Sequence, residues 1–159
     1  MLRPPGVRLI LAVLATGMLA GCLSSAPSVP AEAIPESLRG HTITTVALGG
    51  RTLRVAVAET NDARQRGLMG VADLGPLDGL LFAYPAPVET SFHMRNVPIP
   101  LDIAFFDAEG RLMAVVAMAV CEGEPCPSYP SPGPIRWALE TPAGDLAGLD
   151  PKAQLSLQP

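Results

Sequence analysis

Apolar and polar residues alternate through the middle of the chain. Phe92 and Met94 are interleaved with His93 and Arg95, and Leu101, Ile103 and Phe105 with Asp102, Ala104 and Phe106. A period of two marks a half-buried strand. Between the two runs, Pro98 and Pro100 hold Val97 and Ile99 extended and lack the N–H that a ladder needs. The stretch therefore predicts two strands joined at a stiff corner. Closed as an antiparallel pair on Asn96 and Leu101, it sets Phe92 against Phe105 and Met94 against Ile103 on a core face. The same register sets Arg95 against Asp102 on the other face, with His93 beside them.

The remaining pattern is also mostly β. Two β-rich runs, 41–48 and 51–58, flank Gly49-Gly50 and predict a hairpin. Thr60 or Asn61 caps a short helix through Arg66, ended by Gly67 or Gly70. Residues 79–84 predict a strand that Pro85 and Pro87 end. The run 112–120 is apolar at every position, which predicts a central strand buried on both faces; a buried helix is the alternative, and the valines favour strand. Residues 121–134 hold five prolines and two cysteines and predict a surface loop. Ile135, Trp137 and Leu139 point inward from the next strand, Pro142 opens a second short helix through Ala147, and a last strand lies near 153–157. This is a mainly β chain: a single-domain, jelly-roll-like β-sandwich or a compact barrel with two short helices.

The N-terminus reads as an address. Arg3 and Arg8 precede an apolar run from Leu9 to Leu19, and Leu19-Ala20-Gly21-Cys22 follows. The arrangement is that of a secretory signal, and the apolar run is shorter than a spanning helix needs. Leu-Ala-Gly-Cys resembles the bacterial lipobox, which implies acylation (palmitate among the chains) of Cys22 as the mature N-terminus. The expected organisation is a signal peptide over 1–21, a lipidated Pro/Ser/Ala linker over 22–40 and a β domain over 41–159. Leu23, standing where an inner-membrane retention signal has Asp, points to the periplasmic face of the outer membrane.

Charge narrows the partners. Losing residues 1–21 removes two arginines and no acid, which moves the formal balance from −4 to −6 and leaves Lys152 as the single lysine. Such a surface speaks against nucleic acid and against a polybasic membrane patch. With Cys22 lipidated, Cys121 and Cys126 remain, and in an oxidising compartment a close pair in a Pro/Gly loop reads as a disulfide. A zinc site is the weaker reading, since only His41 and His93 are left to complete it. No metal or cofactor is expected.

Two groupings carry candidate chemistry. His93, Arg95, Asn96 and Asp102 gather on the predicted polar face, where an Arg–Asp pair is either a ligand clamp or an ordinary cross-strand pair. Glu140 lies opposite Trp137 on its strand and either caps the predicted helix or joins Asp102 as an acid/base couple. Met69, Met94, Met113 and Met118 read as core filler, and Tyr129 as a residue that stacks on a ligand or packs over the core edge.

Gly67-Leu68-Met69, Gly79-Leu80-Leu81-Phe82, the run from Phe92 to Phe105, and Leu139-Glu140-Thr141-Pro142-Ala143-Gly144 occur in the order of a known family. Together they resemble the domain-of-unknown-function family 192, from about Leu53 to the end of the chain. Many members have Phe-Trp-Met where this chain has Phe92-His93-Met94. The resemblance implies a small jelly-roll-like β-sandwich and, through Cys-x4-Cys-Pro-x-Tyr, a secreted bacterial member. It implies no activity. The expectation is a non-catalytic envelope lipoprotein that presents His93, Arg95, Asn96, Asp102 and Glu140 to a small polar ligand, such as a glycan, or to an envelope partner. A hydrolase using His93, Asp102 and Glu140 is the rival, and a structural interaction module the third reading.

Overall fold

The computed structural model describes residues 34–158. The expected signal peptide, Cys22 and most of the expected linker lie outside them. Nine strands and one α-helix follow a short 3-10 turn at Glu36–Leu38: β1 (Thr42–Leu48), β2 (Arg51–Ala58), α1 (Asn61–Arg66), β3 (Gly79–Val88), β4 (Ser91–His93), β5 (Leu101–Phe106), β6 (Leu112–Met118), β7 (Ser128–Pro130), β8 (Ile135–Pro142) and β9 (Leu155–Gln158). Seven of the strands form one sheet in the order β6-β5-β8-β3-β2-β1-β9, and β4 with β7 forms a separate small ribbon. All pairings are antiparallel except β2 with β3. The helix between β2 and β3 supplies the crossover that a parallel pair requires.

The large sheet curls until its two edges meet. Arg111, just before β6, bridges Gln154, just before β9, and the Leu112 amide donates to the Ala153 carbonyl. Gly110 makes this closure possible. Its φ is +78°, and a Cβ there would stand 2.3 Å from the Leu155 carbonyl oxygen. One buried cluster draws on every strand of the sheet, with Val46, Val55, Leu81, Phe106, Leu139 and Leu155 among its members and Leu112 packed against it. It fills the inside of this half-barrel. A second cluster covers the outer face, where Phe82, Ile103 and Phe105 meet Phe92, Met94 and the segment 68–77.

Several expectations hold. The Gly49-Gly50 hairpin closes on Leu48 and Arg51, and Thr60 caps α1 by accepting from the Ala63 amide at 3.1 Å. Cys121 and Cys126 are joined as a disulfide.

Others are overturned. The corner at Pro98–Pro100 does not close a hairpin: β4 pairs with β7, while β5 lies between β6 and β8. Phe92 still meets Phe105, with ring centroids 5.7 Å apart, but as a contact between ribbon and sheet. The burial assignments of β5 and β6 exchange. All six β5 residues are buried, whereas β6 is an edge strand that exposes Met113, Val115 and Ala117 in alternation. An interior strand of a sheet with a core on each face buries both its sides, which is the reason Phe106 stands at a nominally outward position. No helix forms at 142–147; Pro142 ends β8 and turns follow it. Leu38, placed by sequence in the linker, is fully buried in the outer cluster.

A tight backbone approach, made possible by a glycine, lies between β3 and β8. A Cβ on Gly79 would stand 2.2 Å from the Glu140 carbonyl oxygen and 3.2 Å from Thr141 Cγ2. Gly79→Ala should therefore cost about 1–3 kcal/mol or more in urea denaturation of the full chain, through strand displacement. Gly123→Ala, where nothing lies within 4 Å, should stay within about 0.5 kcal/mol. Equal effects of the two would show that the β3–β8 contact is not tight.

Candidate ligand-binding cleft

Four elements wall a cleft of about 440 Å³ on the outer face of the sheet: the end of α1 with Gly67–Met69, then β3, β4 and β8. On β8, side chains alternate, so Ala138 faces the outer cluster, Leu139 the inside of the half-barrel, and Glu140 the outer side again. Glu140 stands opposite Leu80 on one side and Ile103 on the other. It is 5% exposed and lines the cleft.

The carboxyl of Glu140 is unusual in its isolation. Burial pushes its pKa up to about 8, and no hydrogen bond or neighbouring charge offsets that effect. Among the described residues no sealed side-chain oxygen lacks a partner, so the Glu140 oxygens open onto the cleft. The cleft is of ordinary size for a small-molecule site.

Tyr84 reaches the cleft through an irregularity. Between Ala83, paired with Trp137, and Val88, paired with Ile135, β3 leaves the ladder. Pro85 and Pro87 occupy the gap, where no ladder donor is required. The strand thus continues past the prolines that were expected to end it. Burial raises the Tyr84 phenol above its usual range; the Thr90 side chain and Arg64 act against this, and Glu140 adds to it. Arg64 lies 5.0 Å from the Tyr84 ring centroid and donates to the Glu59 carbonyl at 2.5 Å, to the Ala83 carbonyl at 2.8 Å and to Asn61 Oδ1. Its guanidinium fastens α1 to β3.

The opposite wall is the β4–β7 ribbon, where Phe92 pairs with Tyr129 and His93 with Ser128. Phe92 meets Phe82 edge-on, centroids 5.1 Å apart, and anchors the ribbon to the sheet. Ser91 and Ser128 join through their hydroxyls at 2.5 Å. Ser91, His93 and Thr90 line the cleft.

Of the predicted polar face of His93, Arg95, Asn96 and Asp102, with Glu140 nearby, the cleft brings together His93 and Glu140. Arg95 instead binds the exposed Glu124, with Nε 2.6 Å from Oε1. Hydrogen bonding to Arg95 holds the Glu124 carboxyl below the usual range, and the Arg95 guanidinium is raised by the same contact. Asn96 forms a turn, with φ of +57° and its carbonyl accepting from the Gly70 amide at 2.8 Å. Among non-glycine residues, Asn is one of the few that adopt this conformation readily. Asp102 is buried and accepts from the Gly144 amide at 2.8 Å and the Leu146 amide at 3.4 Å, which secures the turns after β8. Arg64, Tyr84, Thr90 and Ser91 were not anticipated, because they converge only through the crossover after β2 and the bulge in β3. Tyr129 packs half-buried against the outer cluster, and Met113 is exposed rather than core. Among the described residues no group of three His, Cys, Asp or Glu converges as metal ligands would, and no helix is long and apolar enough to cross a membrane.

Comparison with known proteins gives a family and no activity. The model of the family DUF192, described as an uncharacterised ACR, matches residues 44–157. A solved protein of unknown function from Novosphingobium aromaticivorans DSM 12444 is 30% identical, with a TM-score of 0.68 over 83% of this chain and 99% of its own. A Sinorhizobium meliloti 1021 protein, described as a candidate transcription regulator, is 28% identical, with a TM-score of 0.66 over 74% of this chain and 95% of its own. No curated protein matches.

The isolation of Glu140 has a signature in stability. Its carboxyl moves from 4.5 in the ordinary state to about 8 in the fold. Below 4.5 both native and unfolded chains hold the proton; between 4.5 and 8 only the native chain does. Stability must therefore fall as pH rises through that window and level off above it, by on the order of 5 kcal/mol at most. Glu140→Gln should melt with wild type near pH 4.5 and progressively above it up to about pH 8. A difference in Tm that stays constant across this range would show an ordinary, solvated carboxyl.

Proposed function

The chain belongs to the uncharacterised DUF192 family, and from its cleft we propose a non-catalytic binding or accessory module that takes a small polar ligand. One observation carries the reading: Glu140 is a buried carboxyl that no protein group satisfies, open to a walled cavity. Its oxygens open onto the cleft, so a ligand hydroxyl can replace water on a carboxyl for which the fold supplies no partner. Hydroxyls of Tyr84, Thr90 and Ser91 stand around it as further hydrogen-bonding groups. The single lysine and the negative charge continue to argue against nucleic acid.

The same acid supports a second reading. A carboxyl still protonated at neutral pH is suited to general acid catalysis. A two-carboxylate hydrolase needs a partner, however, and Glu140 is the one acid lining the cleft; Asp102 is held by backbone amides elsewhere. His93 is then the remaining candidate base. We further propose that the module works at the periplasmic face of the outer membrane, tethered through acylated Cys22, a placement supported by the N-terminal pattern and by the Cys121–Cys126 disulfide.

Screening polar fragments by NMR against the full chain should give hits that shift amides of Ser91, His93 and Glu140 and are lost in Glu140→Leu. Arg95→Ala, outside the cleft, should bind as wild type. Hits that map elsewhere, or that survive Glu140→Leu, would sink the assignment, and turnover of chromogenic esters or glycosides lost in Glu140→Gln would favour the enzyme. For the tether, Cys22→Ser should abolish palmitate incorporation and release the chain from the membrane fraction; unchanged labelling would remove the anchor.

A further inference from the structure

We infer that the cleft takes a neutral, polyhydroxylated ring of saccharide type, with the Glu140 carboxyl meeting it as a hydrogen-bond donor. The inference rests on the binding reading above and specifies its ligand. Three ligand classes are open to a buried acid: a cation that pairs with it, an anion that shares its proton, and a neutral hydroxylated molecule.

The charges around the cleft discriminate among them. From α1 come Arg64 and Arg66, from β4 His93, and from β3 the phenol of Tyr84. β5 places Ile103 opposite Glu140, and its Asp102 is engaged by the Gly144 and Leu146 amides. β8 itself contributes no second acid to the lining. A cationic ligand thus approaches past basic side chains toward a single acid that burial keeps uncharged. An anionic ligand meets a different obstacle. Arg64 already gives three of its five N–H donors to Glu59, Ala83 and Asn61, and the apolar walls are Phe82, Phe92 and Val97, against which a buried charge is costly.

A sugar ring fits both kinds of wall. Its C–H surfaces can lie against Phe82, Phe92 and Val97, and its hydroxyls donate and accept toward Tyr84, Thr90, Ser91 and His93. The protonated carboxyl completes the set with both a donor and an acceptor, two functions that a primary amide also supplies. Ionisation removes the donor and leaves an anion in an apolar wall, so affinity should fall as pH rises through the range in which Glu140 titrates. With that group at about 8, the competent fraction drops roughly thirtyfold between about pH 6.5 and about pH 9.5.

Three probes of one shape and different charge test this: methyl glucoside (neutral), glucosamine (cationic at the lower pH) and glucuronate (anionic). Each is titrated into the full chain at both pH values, read by amide shifts at Ser91, His93 and Glu140. The expected result is that methyl glucoside binds wild type at pH about 6.5 and loses roughly thirtyfold at about 9.5, while Glu140→Gln binds within about threefold of the lower-pH wild type at both. Preferential binding of glucosamine or glucuronate, or loss of methyl glucoside binding in Glu140→Gln, overturns the neutral-sugar inference and leaves the small-ligand site standing. Loss of the pH response with methyl glucoside still bound overturns the donor role of Glu140. Absence of shifts from all three at tens of millimolar, while unrelated polar fragments do bind there, overturns the sugar class alone; absence of any hit removes the site itself.

Discussion

The site depends on how closely two backbones approach. Gly79 lets β3 press against β8 until a Cβ would be 2.2 Å from the Glu140 carbonyl oxygen. β8 is hydrogen-bonded on its other edge to β5, so its register is held from both sides. That register decides which way Glu140 faces. A slip of one residue would carry it into the interior of the half-barrel among Leu81, Leu139 and Phe106 and would expel Leu139 to the cleft. A strand bound on one edge alone could relieve the cost of burying an acid by moving; β8 cannot.

The outer wall is held by different means. Phe92 packs between Phe82 and Phe105, so the two-stranded ribbon is attached to the sheet through aromatic contact and no shared ladder. Its second strand follows directly on the disulfide loop, within which Glu124 accepts from Arg95 and from the Cys126 amide. That ion pair is exposed and contributes little to stability. It links the segment just after β4 to the loop just before β7, and so closes the end of the ribbon at which His93 pairs with Ser128.

Local signals in the sequence were reliable where they depended on local physics. The Gly-Gly hairpin, the Thr60 cap and the disulfide all follow from residues close in the chain. The β class follows from summed alternation. Pairing partners were not legible, because alternation specifies a face without specifying a neighbour. Residues 91–106 look like a hairpin, and only the tertiary structure reveals that each half has a better partner elsewhere. The predicted polar face dissolved with that register, sending Arg95 to Glu124 and Asp102 to Gly144. β6 misled for a related reason: an unbroken apolar run describes a buried strand well, yet Met113, Val115 and Ala117 stand exposed on an edge. His93 and Glu140 were both singled out from sequence, but for reasons that the structure replaces.

The sheet offers its own control for the importance of Glu140. Asp102 and Glu140 are both buried carboxyl residues, on neighbouring strands, 7% and 5% exposed. Asp102 accepts from two backbone amides and thereby secures the turns that follow β8. This is how a carboxylate with a structural task is accommodated, with its acceptor capacity met by the fold. Glu140 lies beside a strand ladder whose backbone groups are already paired, so the fold has no amide to offer it, and burial alone governs its proton. A buried acid that stabilises nothing internal, sits in a register locked from both sides and opens to a walled cavity is poorly explained as an element of the fold. The partner that its cleft-facing oxygens take, whether water or the ligand proposed above, comes from outside the chain.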